Sequence, residues 1–541
     1  MYWTESASEM TIGAALSGAV QRFGSRAGYK FDEEHRDLAE VQERSAIIAR
    51  AMLSQGIRKG DKVAVFMANH AEWPEIFFAV MRIGAVLIAL NTRWTSAELE
   101  YCLAKSNARL LLLKRERTTS GRDYADIINE ILPELAQSSG GKIDAARAPG
   151  LETVIDIADP AMTGALPYRE FVSSADAVTD AELMQAEAQV APRDPALIQY
   201  TSGTTSFPKG ALLHHAGMLR GGRESPTWLQ LKDTDVLFSV QPFYHGGGTI
   251  VQMLAPLITG CVVVTQIYFD PGEALRLMEQ ERATALIGHQ PHFIEYMNHP
   301  SFEQRDLKIE RALVIAPPEI FWMVREKFGI DGLVSGYGMT ETHNLGTATS
   351  LIEDPIEVRF NTNGRPVDGA ELEIRDPNGE VLGPGEEGEI FLKVVYPMLG
   401  YLDMPEQTAQ VLLSDGWYRT GDKGVLRPDG NLCLLGRVRD MIRVGGENLS
   451  GAEVDACLLM HPKVKQAAAI AAPDKRLGEV VIAFVELKDG AFADEAELVR
   501  HCRVHLAGFK IPRQIHFVRE WPMSGSGKIQ KHLLKAQPVD A

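Results

Sequence analysis

The sequence predicts an α/β protein with parallel sheets covered on both faces. Three observations carry this. Short β-rich runs alternate with helical runs between residues 34 and 113, and again from Ala196 to Ile315. From about residue 365 the texture changes to short strands separated by turn signals. After Gly436 the alternating style resumes to the end of the chain. Strands alternating with helices indicate crossover connections and a parallel sheet.

Residues 34–56 place Leu38, Val41, Ser45, Ile48 and Met52 at helical spacing and stop at Gly56. A strand follows at Lys62–Phe66, then a helix from Trp73 to Ile83, and a strand at Ala85–Leu90. Next come a helix from Ser96 to Ala104 and a strand at Ala108–Leu113. Residues 138–192, with Gly140, Gly141, Pro149 and Gly150, read as a surface excursion inside one domain. Leu372–Arg375, Gly388–Lys393 and Leu432–Leu435 read as strands. The turns between them, Asp376-Pro377-Asn378-Gly379 and Pro428-Asp429-Gly430, suggest a small β-barrel or sandwich at about 360–436. Residues 437–541 are long enough for a separate lid.

The formal charge of −17 would repel a polyanion, so nucleic acid is not an expected partner. Cys102, Cys261, Cys433, Cys457 and Cys502 are scattered and form no Cys-x-x-Cys pair, which argues against a disulfide framework or zinc site. That pattern favours a reducing, cytoplasmic setting. The opening MYWTESASEM has no basic region followed by an apolar stretch. The apolar run Ile76–Leu90 contains Arg82 and is too short to span a bilayer, so no transmembrane segment is expected.

Five motifs carry chemistry. Tyr200–Gly210, YTSGTTSFPKG, sets Thr201, Ser202, Thr204 and Thr205 around Gly203 and ends in Lys209. Backbone N–H groups, hydroxyls and a cation suit a polyphosphate. The segment does not fit a Walker A loop, and its flanks read as strand on both sides. A Ser/Thr-rich surface turn is the competing reading. The other four motifs are YGMTET at Tyr337–Thr342 (after Ser335-Gly336), GWYRTGD at Gly416–Asp422, GRVRDMIRVGGEN at Gly436–Asn448, and PMSGSGKIQK at Pro522–Lys531.

This ordered set resembles the superfamily of acyl-CoA synthetases, peptide-synthetase adenylation domains and firefly luciferases, over about residues 10–535. The resemblance implies a large N-terminal domain of two doubly wound α/β subdomains plus a small β-barrel. A smaller, mobile α+β C-terminal domain would follow. The boundaries expected are 1–436 and 437–541, with a hinge near Arg439. The implied reaction activates a hydrophobic carboxylic acid as an acyl-AMP and passes the acyl group to coenzyme A, with ATP and CoA as substrates and Mg2+ as cofactor.

The resemblance also implies residue roles. Glu341 would ligate Mg2+, and an oxygen ligand suits that ion; Thr340 would touch the nucleotide phosphate. Asp422 would hold the ribose diol, with Arg437 beside it. Tyr337, Gly338 and Met339 would frame the nucleotide with the segment Ile315, Ala316 and Pro317. Ile315 departs from the usual glycine-rich pattern there, and Ser206 stands where the family loop has glycine. Lys528 would stabilise charge as pyrophosphate departs. Gly445 and Gly446 would line the pantetheine tunnel, and Arg443 would meet the adenylate phosphate or CoA. His245, in FYHGGG, would stand by the acyl carboxylate, with Ile315 and Gly336 in the acyl pocket. His214 and His215 read as structural. The expectation is that Thr201–Lys209, Glu341, Asp422, Arg437 and Lys528 gather around one nucleotide.

Alternatives stay open: thioesterification of a supplied acyl-AMP, loading of a carrier protein, a luciferase-like oxygenase, or a catalytically silent binding protein. The identity of the acid and the oligomeric state, a homodimer among the options, are open too.

Overall fold

The computed structural model describes residues 9–116, 123–201, 208–438, 441–444, 447–474, 477–506, 508–523 and 529–534. The chain divides into two compact units: Met1–Leu313 with Tyr337–Gly346 and Val394–Gly416, and Val314–Gly336 with Thr347–Lys393 and Trp417–Ala541.

The first unit is built on parallel sheet. One eight-stranded sheet runs Gly400–Tyr401, Lys209–His214, Pro195–Thr201, Val86–Ala89, Lys62–Phe66, Leu110–Leu113, Thr153–Asp156, Leu166–Pro167. Its strands are parallel from Pro195–Thr201 onward. The first three are joined antiparallel. The central strands are continuous apolar runs (Val63, Ala64, Val65 and Phe66; Leu110 to Leu113) and fully buried, as a sheet covered on both faces requires. A second sheet orders Arg311–Ile315, Ala285–His289, Val236–Ser239, Val262–Thr265, Gly28–Phe31 and Glu34–Asp37. It is parallel at its centre, with Glu34–Asp37 antiparallel at the edge.

The predicted strand Lys62–Phe66 appears with those bounds. The helix predicted over 34–56 spans Leu38–Ser54 instead. Asp37 caps it by accepting from the Glu40 N–H while Glu40 reaches back to the Asp37 N–H, so the four residues before it are free to pair as a strand. Residues 138–192 are more than a surface excursion. Thr153–Asp156 and Leu166–Pro167 extend the eight-stranded sheet, and Tyr168–Ser173 and Asp180–Glu187 are helices.

In the second unit the expected barrel is a four-stranded sheet, ordered Ala370–Arg375, Glu387–Val394, Trp417–Leu426, Leu432–Arg437, with no closure among the described residues. The C-terminal part is α+β. Its sheet runs Glu447–Ser450, Met441–Val444, Gly478–Leu487, Val464–Asp474, with Gln514–Phe517 parallel to Gly478–Leu487. Gly451–Leu459 and Glu495–His505 are its main helices.

Candidate active site

The hydroxyl-rich motif joins two antiparallel strands. Thr201 sits opposite Lys209, and Tyr200 opposite Gly210. The strand flanks read from the sequence on both sides of the motif are therefore present, whereas a Walker A loop leads from a strand into a helix. Ser202, Gly203, Thr204, Thr205 and Ser206 lie outside the described residues. The two strand ends that hold them do not: the Thr201 hydroxyl donates to the Glu341 carboxylate at 3.3 Å and lies 3.4 Å from the Lys209 carbonyl.

Glu341 occupies the single helical turn Thr340–Thr342 and is 8% exposed, so it is not a solvated loop carboxylate. His343 ends that turn in the left-handed region, at φ 53°. The Glu341 carbonyl accepts from the Met398 N–H at 2.9 Å. Its Oε1 receives a second hydroxyl, from Tyr401, at 2.9 Å. Tyr401 also carries the Lys209 ammonium over its ring, 5.2 Å from the centroid. Sequence reasoning did not single out Tyr401.

The turn is locked from behind by His343, which is fully buried. Its Nδ1–H donates to the Tyr396 carbonyl at 2.9 Å, and its Nε2 accepts from the His214 N–H at 3.3 Å. Burial, then the neighbouring His214, pushes its pKa down to about 3, so the ring is neutral. Room for it comes from Gly217, where a Cβ would lie 2.5 Å from the imidazole. His214 is held near a pKa of about 4 by burial and Arg193, and His215 near about 4 by burial. Both are buried and hydrogen-bonded as a helix cap and to the Ile12 N–H, which fits the structural role read for them.

Gly338 is needed for close approach: a Cβ there would stand 2.6 Å from the Asn344 carbonyl. Tyr337 is buried, while Met339 and Thr340 are half-buried. His245 lies on the neighbouring segment. The Gly247 N–H donates to its Nδ1 at 3.3 Å. A Cβ on Gly246 would come 3.5 Å from the Thr340 hydroxyl, so the FYHGGG segment and the YGMTET turn adjoin. A π-helical turn, Gly247–Gln252, follows His245. Such turns are frequent at functional sites, and no residue pattern announced this one.

In the second unit Asp422 and Arg437 stand directly opposite on neighbouring strands and pair at 2.8 Å. The Asp422 N–H donates to the Thr420 hydroxyl, and the Arg437 guanidinium to the Thr420 carbonyl at 3.1 Å. Gly421 supplies φ +72° between them. Asp422 is buried while the Arg437 side chain is 49% exposed, so the pair presents a cation to solvent. Ile315 ends its strand 41% exposed, and Ala316 and Pro317 lead into the helix Pro318–Phe328. Gly336 begins a two-residue strand. Arg443 falls on the strand Met441–Val444, opposite Asn448. Arg439, Gly445, Gly446 and Lys528 lie outside the described residues.

The oxygen donors Thr201 and Glu341 fit Mg2+, which takes one or two carboxylates and completes its shell with water and phosphate oxygens. Among the described residues no group of three or more His, Cys, Asp or Glu forms a metal cage. No helix among them is long and apolar enough to cross a membrane.

A family model described as AMP-binding enzyme matches residues 16–402, and one described as AMP-binding enzyme C-terminal domain matches 453–528. YngI of Bacillus subtilis (strain 168), provisionally named an acyl-CoA synthetase, is 33% identical, covering 98% of this chain and 97% of its own. The mitochondrial medium-chain acyl-CoA ligase ACSF2 of Mus musculus is 32% identical, over 97% of this chain and 87% of that protein. The crystal structure of the anthranilate CoA ligase AuaEII with anthranoyl-AMP matches at a TM-score of 0.85 and 24% identity, covering 98% of this chain and 97% of that one. At that identity the likeness concerns the fold.

Proposed function

The chain belongs to the AMP-binding enzyme family and is an AMP-forming ligase, and from that premise we propose that it joins a hydrophobic carboxylic acid to coenzyme A through an acyl-adenylate. The observation that carries this reading is the buried Glu341 carboxylate, fixed by the Thr201 and Tyr401 hydroxyls next to the Lys209 ammonium. Three separate segments thereby supply a metal-ligating oxygen, hydroxyls and a cation, as a triphosphate requires. The naming of one relative as a medium-chain acyl-CoA ligase supports the acid class.

In the first half-reaction a carboxylate oxygen bonds to the α-phosphorus of ATP and the bond to pyrophosphate breaks. Lys209 and the loop hydroxyls from Thr201 to Thr205 orient the β- and γ-phosphates. Glu341 and Thr340 would hold the Mg2+ and phosphate oxygens, the ion offsetting phosphate charge when bound. Asp422 accepts from the ribose hydroxyls and Arg437 flanks them. Lys528 offsets charge on the α-phosphate as pyrophosphate leaves. Tyr337 to Met339 and Ile315 to Pro317 face the base, with Ile315, Gly336 and His245 on the acyl side.

In the second half-reaction the CoA thiolate attacks the acyl carbonyl and AMP leaves. Gly445 and Gly446 admit the pantetheine arm, and Arg443 meets the phosphate. The exchange of Lys528 for these glycines is assigned to a swing of residues 437–541 about Arg439.

A panel of aliphatic and aromatic acids, with AMP release followed with and without CoA, tests the reading. Release that requires both a hydrophobic acid and CoA is expected. No acid-dependent release across the panel, or release driven only by an acyl-carrier protein, would overturn it. Lys528→Ala should abolish acid-dependent pyrophosphate exchange while thioester formation from supplied acyl-AMP persists. Equal losses in the two assays would remove Lys528 from its assigned role.

A further inference from the structure

We infer that Tyr401 is a positioning residue for the ATP-dependent half-reaction, holding Glu341 and Lys209 apart and correctly aimed; this rests on the adenylation reading above. The ring is placed by backbone, not by a ligand. Gly400–Tyr401 forms a two-residue strand on the edge of the eight-stranded sheet, with Gly400 opposite Leu212 and Tyr401 opposite Ala211. The Leu399 N–H donates to the Leu212 carbonyl and the Leu402 N–H to the Gly210 carbonyl, both at 2.8 Å. The Tyr401 N–H donates to the Thr408 hydroxyl at 2.9 Å, which itself donates to the Met404 carbonyl. Gly400 takes φ +131°, a conformation that side chains resist, to make this turn.

Tyr401 thus joins the same strand that begins at Lys209. Its hydroxyl reaches Glu341 Oε1 and its ring face receives the Lys209 ammonium. An ammonium and a carboxylate this close to one ring attract strongly where water is scarce. Paired with each other they would be lost to phosphate and metal. Among the described residues they form no ion pair; Tyr401 serves each instead, with an O–H for the anion and a π-face for the cation. Both hydroxyls that bind the carboxylate converge on Oε1. Oε2 has no hydrogen-bond partner among the described residues, which leaves it for the metal.

Two variants separate the two contacts. Tyr401→Phe keeps the ring and removes the hydroxyl. Tyr401→Leu removes both. Acid-dependent pyrophosphate exchange would be titrated with Mg2+ at saturating ATP, and with ATP at saturating Mg2+. Tyr401→Phe is expected to raise the half-saturating Mg2+ concentration about 5–20-fold, the scale of one charged hydrogen bond partly lost. Its KM for ATP at saturating Mg2+ should stay within about twofold, since the Lys209 contact remains. Tyr401→Leu should raise both. Thioester formation from supplied acyl-AMP should be unchanged in each. An unaltered Mg2+ dependence in Tyr401→Phe, or equal losses in both half-reactions, would overturn the inference. Absence of exchange in the unmutated enzyme would instead sink the adenylation reading.

Discussion

Two carboxylate–cation pairs in the second unit share a chemistry and differ in everything around it. Asp455 is closed in. Lys531 donates to its Oδ2 and also, at 3.1 Å, to the Ala469 carbonyl, while the Ala469 N–H donates to Oδ1. The side chains are only 16% and 24% exposed, and burial holds the Asp455 carboxyl above its usual value even with Lys531 pulling it down. Every strong group of that pair is committed to a neighbour. Asp422 and Arg437 pair just as directly, yet Arg437 is half open to solvent. A committed pair can only hold structure. An open one can exchange part of its bonding for a ligand's. Lys531 lies three residues after Lys528 and begins the helix Lys531–Leu534, whose Leu534 packs with Ala468, Ile470, Ile482 and Phe484. The Gln530 N–H donates to the Pro522 carbonyl at 2.7 Å, and Met523 bridges to Ile529. The closed pair therefore anchors the helix Lys531–Leu534, while the open pair is itself part of the proposed ribose site.

Exchanging the carboxylates for amides puts this contrast at risk. Asp422→Asn keeps the shape and removes the charge. It should lower kcat/KM for ATP by roughly 10²-fold, the scale of one charged hydrogen bond to the ribose. Its melting temperature should stay near that of the unmutated protein. Asp455→Asn should do the reverse. Leaving Lys531 without its anion in a largely buried place should cost about 2–3 kcal/mol in urea unfolding. If Asp455→Asn proved as stable as the parent, or Asp422→Asn unfolded it, commitment of neighbours would not be what separates the two sites.

What the sequence revealed follows the same division. Lys62–Phe66 was legible because a run of buried apolar residues has few other solutions. Asp422, Arg437 and Glu341 stood out as members of motifs, but their surroundings did not. Nothing in the letters says that Thr201 and Tyr401 donate to one oxygen of Glu341, because those three residues meet only after the sheet is assembled. Gly400–Tyr401 is too short to show a period. Thr153–Asp156 and Leu166–Pro167 are strands of four and two residues among turn formers, so their pairing with an existing sheet edge decides their state. The barrel-or-sandwich expectation placed the strands, while closure is absent among the described residues, since turn residues set where strands end and not how many edges remain.

A pH-dependent counterpart is the buried histidine cluster behind Glu341, in the first unit. His343, His214 and His215 are neutral in the fold, with pKa values pushed to about 3, 4 and 4. In the unfolded chain each titrates near 6.5. The unfolded chain therefore binds more protons between these values, so their stabilisation is complete above about pH 6.5 and is lost as the pH falls toward 4. Each such group contributes a slope of up to about 1.4 kcal/mol per pH unit in that window. Urea unfolding at pH 7.5, 6, 5 and 4.5 should show the decline, and His343→Asn should be less stable at pH 7.5 yet decline less steeply. An unchanged slope in His343→Asn would mean that the ring is not a committed group, and would leave the turn carrying Glu341 to its Thr201, Met398 and Tyr401 contacts.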